Sequence, residues 1–385
     1  VLYRRLVFDR SQGVYDRDRF VTYLKLPRHV PYIRAAYLDP IRAKHPRRIA
    51  NLGADFRQHT LLPPIRSDWP LVRSYLMHFF VEADAIKPFD TWIREDRLKD
   101  VFAETKILHG LGDVEQWASD LSPAQFQAIK ERVDLQFAYT NAEQFGPDEP
   151  VALDVHVKNV RTLLVKVYKL NAFNYYRDRL SEVSTGIDLD GLVANAEKTF
   201  TYELSPLRRV RRTFTFGRDG LPALDERGVY VIDFIGNGVN SRALVRKGTL
   251  RYLERFSTAG HVFTVLDEAN HKVPDAAIWL AGQTYKADEA GEIVVPYSTK
   301  PGRQPILLLD GDFAALDAFD HSAETYRLDA GIHVDREALL PRKLAQVALR
   351  PVLKINGQPA TLAVLEDVRL SISSTDVDGV SSTHE

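Results

Sequence analysis

The sequence predicts an α+β multidomain chain in which a mainly helical N-terminal region is followed by antiparallel β-sandwich domains. Three observations carry this. Apolar residues recur at helical spacing through the first third. Gly146-Pro-Asp-Glu-Pro150 then ends that periodicity with two prolines and a glycine. After it, Val151, Leu153, Val155 and Val157 alternate with Ala152, Asp154, His156 and Lys158, the period of a half-buried strand. The expected organisation is a helical region over 1–146, sandwiches over 147–256 and 257–342, and the truncated start of a further β-domain over 343–385.

Val1-Leu-Tyr-Arg-Arg-Leu reads as charged, strand-like sequence without a signal peptide. Five prolines between Tyr37 and Pro70 predict a loop-rich connector with short helical pieces. Leu71, Val72, Tyr75, Leu76, Phe79 and Phe80 predict a helix over Trp69–Ala85, with Asp68 as its N-cap. The pattern continues over Lys99–Leu108 and Val114–Val133, where Ser122-Pro123 reads as cap and first helical position. Beyond the boundary, Leu163, Val165 and Val167 repeat the strand alternation. Thr199–Tyr202, Arg212–Phe216 and Gly228–Ile235 complete a sandwich, with Tyr230, Ile232 and Phe234 on one face. Gly236-Asn-Gly-Val-Asn-Ser241 lacks the Gly-Lys-Ser/Thr of a phosphate loop and predicts a hairpin turn. In the next module, Asp267–Lys272 and Ala287–Glu292 read as tight connections, with Gly291 at positive φ.

Composition excludes several functions. The 51 basic and 52 acidic side chains leave a net charge of −1, which provides no global field for nucleic acid or an anionic membrane. The absence of cysteine excludes disulfides, thiolate metal ligands and a cysteine nucleophile. No apolar run reaches the roughly 18–20 residues that span a bilayer. The chain lacks an initiator Met and ends on polar residues within an apparent hairpin, so an excised piece of a longer protein is expected.

Gly228-Val-Tyr-Val-Ile-Asp-Phe, Val273-Pro-Asp-Ala and Ala287-Asp-Glu-Ala-Gly-Glu-Ile-Val-Val-Pro resemble the macroglobulin-type, immunoglobulin-like β-sandwich domains of bacterial alpha-2-macroglobulin-like proteins. The stretch from Pro147 to Tyr168 looks like the first strands of such a domain, and Ile372–Val380 is similar to a strand and turn of a following copy. The resemblance covers about 147–385, with a carboxypeptidase-regulatory-like module as the alternative for 257–342, and implies an extracytoplasmic scaffold that engages a protein partner, a protease among the candidates. The Gly-Cys-Gly-Glu-Gln thioester motif of that family cannot occur without cysteine.

Catalytic and cofactor signatures are sparse. The eleven histidines show no i, i+4 zinc spacing, and Gly-x-Ser-x-Gly is absent. His78 is expected at a core edge, His156 on the polar face of a strand, and His109 as a cation at a helix C-terminus. Asp188-Leu-Asp-Gly191 and Asp376-Val-Asp-Gly379 begin like calcium loops but lack the closing acid and read as turns. Arg208-Arg-Val-Arg-Arg212 predicts a charged edge strand. The candidate partner-contact residues are Asn171, Phe173, Asn174, Tyr175 and Tyr176, aromatics and amides in a loop after a strand. No catalytic, cofactor or metal residues are assigned. The expected function is a non-enzymatic scaffold. The alternatives are an adhesin or carbohydrate-binding array, with Tyr175, Tyr176, Trp279 and Tyr285 as its platform, and an accessory segment of a larger enzyme.

Overall fold

The chain opens on a helix, where its first residues suggest a strand. In the computed structural model, which describes residues 1–338, 344–375 and 378–385, α1 spans Leu2–Ser11. Leu6 is buried on one face, and Arg5 pairs with Asp9 one turn later at 3.1 Å, so both interactions use the helical period. Helix α2 (Arg17–Leu24) is capped by Asp16, whose carboxylate accepts the Arg19 amide. The proline-rich connector forms α3 (Ala35–Lys44), a 3-10 turn at Pro46–Arg48 and α4 (Arg57–Thr60).

Helix α5 (Trp69–Glu82) and α6 (Glu95–His109) follow the apolar spacing. The run expected over Val114–Val133 divides into α7 (Val114–Ser119) and α8 (Pro123–Glu131). Ser122 starts the second with a full capping box, its hydroxyl accepting the Gln125 amide while the Gln125 side chain accepts the Ser122 amide. These helices enclose Leu6, Phe20, Tyr75, Leu76, Phe80 and Phe89. Asp68 precedes α5 as predicted, but its carboxylate caps nothing. Pro70 supplies no amide at the second helical position, and the buried carboxylate turns instead to Arg28, Tyr23 and Tyr32.

The first sandwich is built from β1 (Asp134–Phe137), β2 (Gln144–Phe145), β3 (Ala152–Lys158), β4 (Thr162–Leu170), β5 (Ala196–Thr201), β6 (Arg209–Thr215), β7 (Gly228–Gly236) and β8 (Val239–Lys247). They form the sheets β1-β3-β6 and β2-β8-β7-β4-β5, antiparallel apart from the two-residue β2–β8 pair. Val155, Leu163, Phe214, Ile232, Phe234 and Val245 fill the space between them. Asn237 and Gly238 both take positive φ, 46° and 77°, and close β7 onto β8 in a two-residue hairpin, as their Asn-Gly pair predicts.

Helix α9 (Ala172–Arg179) follows β4 in sequence. By contacts the chain forms two units, Val1–Leu170 with Ser184–Gly248, and Asn171–Val183 with Thr249–Glu385. In the second, β9 (Arg251–Ser257), β10 (Gly260–Leu266), β11 (Ala277–Leu280), β12 (Gln283–Lys286), β13 (Ile293–Val295), β14 (Gly302–Asp310) and β15 (Phe313–His321) make the sheets β13-β10-β9 and β12-β11-β14-β15. Phe263, Ile278, Ile293, Ile306, Leu308 and Phe319 form its core. Gly291 takes φ +72° in its turn, as predicted, and Asp288 holds that turn by accepting the Ala290 and Glu292 amides. Strands β16 (Tyr326–Val334), β17 (Val347–Ile355) and β18 (Gln358–Ala360) form a further sheet, and β19 (Ile372–Thr375) pairs with β20 (Ser381–His384). The expected boundary at 342/343 and Asp376 of the second Asp-Gly motif lie outside the described residues.

Candidate functional site

Alternation along β3 divides its side chains between two faces, and the polar face passes from exposed at Ala152, through half-buried Asp154 and His156, to buried at Lys158. Asp154, His156 and Lys158 stand beside Asp134 and Gln136 of β1 and Arg209, Arg211 and Thr213 of β6 by strand register. Lys158 and Asp134 are almost fully buried there. Helix α5 faces this surface across a cleft of about 710 Å³, with Trp69, Arg73, Ser74, Met77 and His78 on the helical side. Gln136, Phe137, His156 and Arg209 line the sheet side, and Tyr15, Tyr139 and His109 complete the walls. Tyr15 and His78 stack face to face with centroids 3.9 Å apart. Beside them Arg10 lies 3.7 Å over the Tyr139 ring and donates to the Ser74 hydroxyl.

Charge in the cleft is unevenly balanced. Glu104 bridges Arg73 at 2.6 Å and Arg132 at 2.7 Å, and Arg132 also holds Asp134 at 2.9 Å. Burial alone raises the Glu104 pKa, but the two guanidinium groups outweigh it and hold the carboxyl below its usual range. Asp154 is likewise kept below its ordinary value, since bonds from Thr213 and Arg211 exceed its desolvation. Arg209 reaches Asp134 only at 3.7 Å while donating to the Gln136 side chain at 2.9 Å. Burial lowers its pKa, and Arg132 and Arg73 add to that.

The histidines respond to the same field. His156 is lowered to about 4, first by desolvation and then by Arg209, Arg211 and His109, with Asp154 opposing. The unfolded chain therefore takes up a proton near the ordinary value of 6.5 that folded His156 refuses until about 4. Stability carried by neutral His156 is complete above 6.5 and falls as pH drops toward 4. Urea unfolding from pH 7 to 4.5 checks this, because His156→Gln should flatten the slope over that window.

His109 is not the cation its helix-end position predicts. Desolvation, then Arg209, Arg208 and Lys106, lower its pKa. The charge at the end of α6 comes from Arg208, whose guanidinium covers Gly110. Gly110 has φ +59°, and a Cβ there would lie 1.5 Å from Arg208 Nη1. Gly110→Ala should cost about 1–2 kcal/mol of left-handed strain in urea unfolding and displace Arg208 as well.

The Arg208–Arg212 cluster sits on an edge strand as its charge pattern predicts, but Arg209 lines the cleft and is largely shielded from solvent. Strand β6 is the edge of its sheet, with Arg209 and Arg211 toward the cleft and Arg212 on the other face, 3.9 Å over the Tyr202 ring. Asp188 accepts the Asp190 amide at 2.9 Å, which makes the first Asp-Gly motif an Asx turn. Among the described residues, no group of three His, Asp or Glu is placed to hold a metal ion.

The predicted partner-contact residues occupy the first turns of α9, which corrects the loop expected there. Asn171 caps the helix by accepting the Asn174 amide, and Ala172 and Tyr176, four residues apart, bury one stripe. The helix packs on β15 and β14. The Tyr176 hydroxyl donates to Glu182 at 3.2 Å, Phe173 and Tyr175 are half-buried, and Asn171 and Asn174 are exposed.

One arrangement looks catalytic and is not. Buried His261 bonds Glu254 through Nδ1 at 2.5 Å, and Ser322 is adjacent. Nε2 accepts the Ser322 backbone amide at 3.1 Å, while the Ser322 hydroxyl bonds the Asp320 carbonyl. The nitrogen that would activate a hydroxyl already accepts an amide proton, so the set fixes a tautomer and supplies no nucleophile.

Residues 1–133 match the family model of the actin-binding protein F N-terminal domain, 163–248 that of the AbpF first immunoglobulin-like domain, and 335–385 that of the AbpF third immunoglobulin-like domain. The chain is 32% identical over 384 residues to actin-binding protein F of Dictyostelium discoideum, covering 98% of this chain and 16% of that protein's length. Among solved structures, a three-domain piece of Escherichia coli alpha-2-macroglobulin is 15% identical, with a TM-score of 0.32, covering 49% of this chain and 64% of that one. A chimeric titin Z1Z2 tandem is 11% identical, with a TM-score of 0.27, covering 50% and 99%. Overlaps this poor support no kinship.

The matches confirm a helical region followed by immunoglobulin-like β-domains, and none of the matched families is an enzyme family. They overturn the macroglobulin resemblance, and with it the bacterial origin, the protease-inhibitor role, the protease partner and the extracytoplasmic placement, all of which rested on it. The adhesin and enzyme-accessory alternatives fall as well. The proposed carbohydrate platform also fails physically, because Tyr176 and Trp279 are buried and Tyr285 packs on the core. The sequence of this chain, from its helical region through its sandwiches, follows that of actin-binding protein F.

Proposed function

We propose that this chain is a non-enzymatic, actin-binding structural segment that works in the cytoplasm on the actin cytoskeleton. The observation that supports it is the 32% identity to a Dictyostelium actin-binding protein, which runs through 98% of the chain. We likewise propose the division into a helical region over 1–146, sandwiches over 147–256 and 257–342, and a further β-domain from 343. Cosedimentation of the purified chain with filamentous actin tests the function. Saturable pelleting is the expected result, and a chain left in the supernatant at filament concentrations that saturate a control binder would overturn it. The first turn of α9, Asn171, Phe173, Asn174 and Tyr175, held in place by Tyr176, is the proposed contact. Asn174→Arg should weaken pelleting while leaving the unfolding midpoint unchanged, because Asn174 is exposed and its side chain holds no bond in the cap.

A further inference from the structure

We propose that the cleft between α5 and the β1-β3-β6 sheet binds a small ligand that carries phosphate groups and a planar ring, of nucleotide size. The charge argument comes first. Arg211 and Asp154 pair with each other at 2.5 Å, and Glu104 and Asp134 compensate only part of the positive charge that Arg10, Arg73, Arg132, Lys158 and Arg209 bring to this region. Desolvated cations without matching anions are costly, and an anion from outside relieves that cost. Arg10 and Arg209 each keep a buried Nε with no hydrogen-bond acceptor. Lys158 donates to the Arg132 carbonyl, 2.6 Å away, and shares the field of Asp134 with Arg132 and Arg209.

Shape and chemistry fit the same ligand. A cleft of about 710 Å³ lies within the roughly 300–1,000 Å³ range of small-molecule pockets. Arg73 and Arg209 present guanidinium forks suited to phosphate oxygens, and His109 and His156 line the same cleft with ring nitrogens. Trp69, the stacked Tyr15–His78 pair and Phe137 provide flat apolar walls for a ring. A simple inorganic anion would use the cations and leave these walls empty. An extended acidic peptide would use neither the enclosure nor the ring faces.

Isothermal titration of the whole chain with ATP, inorganic pyrophosphate and a polyglutamate peptide tests this. ATP should bind at one site, pyrophosphate at least tenfold more weakly, and the peptide not at all. Arg209→Gln should reduce ATP affinity tenfold or more. If that variant loses its fold by circular dichroism, His109→Gln, at the end of α6, should still weaken binding several-fold. Arg255→Gln, which removes an exposed cation paired with Glu292 in the other unit, should bind as the parent chain does. No heat with ATP, equal weakening in all variants, or binding of the peptide alone would overturn the assignment, and equal affinity for pyrophosphate and ATP would remove the ring from it.

Discussion

Asp68→Ala should lower the stability of the helical region by about 3–5 kcal/mol, the cost of stranding one member of a buried ion pair. Asp68 and Arg28 are both about 1% exposed, with Arg28 Nε 3.0 Å from the carboxylate. The same carboxylate oxygen accepts the Tyr23 hydroxyl at 2.7 Å and the Tyr32 hydroxyl at 2.8 Å. Arg28 donates further to the Tyr23 and Leu26 carbonyls and lies over the Tyr23 ring. Removing the carboxylate leaves a desolvated guanidinium and two buried hydroxyls without their acceptor. Burial, reinforced by Asp68, pushes the pKa of both Tyr23 and Tyr32 up. Arg28→Met should cost a similar amount, and the double variant Arg28→Met/Asp68→Ala distinctly less than the two together, because an apolar pair leaves no orphaned charge. Tyr23→Phe and Tyr32→Phe should each cost about 1 kcal/mol. Urea unfolding of the five variants measures the coupling. A fully additive double variant would show that the two groups do not act as a pair.

What the sequence made legible was periodicity and turn chemistry. Tyr230, Ile232 and Phe234 read as one face and do lie in one core, and Asn237-Gly238 read as a hairpin because few other pairs accept two positive φ angles. The cleft was not legible. Alternation along β3 reveals that Asp154, His156 and Lys158 share a face, but the pattern is the same whether water or helix α5 lies opposite. Polar strand faces default to solvent, and only tertiary packing reverses that. A signal was available in the arginines of β6, whose alternation places Arg209 and Arg211 on the same side as His156, but which element covers them needs coordinates. Asp68 failed as a cap for a related reason, since its partner Arg28 lies forty positions away in sequence and no local rule finds it. Helix α9 was missed because three aromatics in one short segment look like a surface loop until Ala172 and Tyr176 are seen buried on one stripe. The macroglobulin resemblance rested on Asp-Gly turns and alternating strands, which any antiparallel sandwich needs and which therefore cannot separate one sandwich family from another.

Gly260→Ala should damage the β13-β10-β9 sheet on the order of 3 kcal/mol, the upper end for a side chain forced onto glycine-only backbone. Gly260 has φ +142°, and an added Cβ would lie 2.1 Å from the Val295 carbonyl oxygen and 2.9 Å from Pro296 Cα. Both obstacles are backbone, so no rotamer change removes them. Relief requires strand β10 to move away from β13, where His261 pairs with Val295 and Phe263 with Ile293. His261 cannot follow freely, because its ring is fixed at one nitrogen by Glu254 and at the other by the Ser322 amide. The displacement therefore reaches β9 and the end of β15 as well as the turn. Gly311→Ala separates strain from collision, since Gly311 also has positive φ, +58°, but a Cβ there meets nothing within 4 Å. It should cost only about 1–2 kcal/mol. Hydrogen exchange at Val262, Phe263 and Val265 should accelerate strongly in Gly260→Ala and hardly at all in Gly311→Ala. Equal protection in the two variants would mean that β10 can shift without breaking its ladder, and that the close approach at Val295 is not what requires glycine at this position.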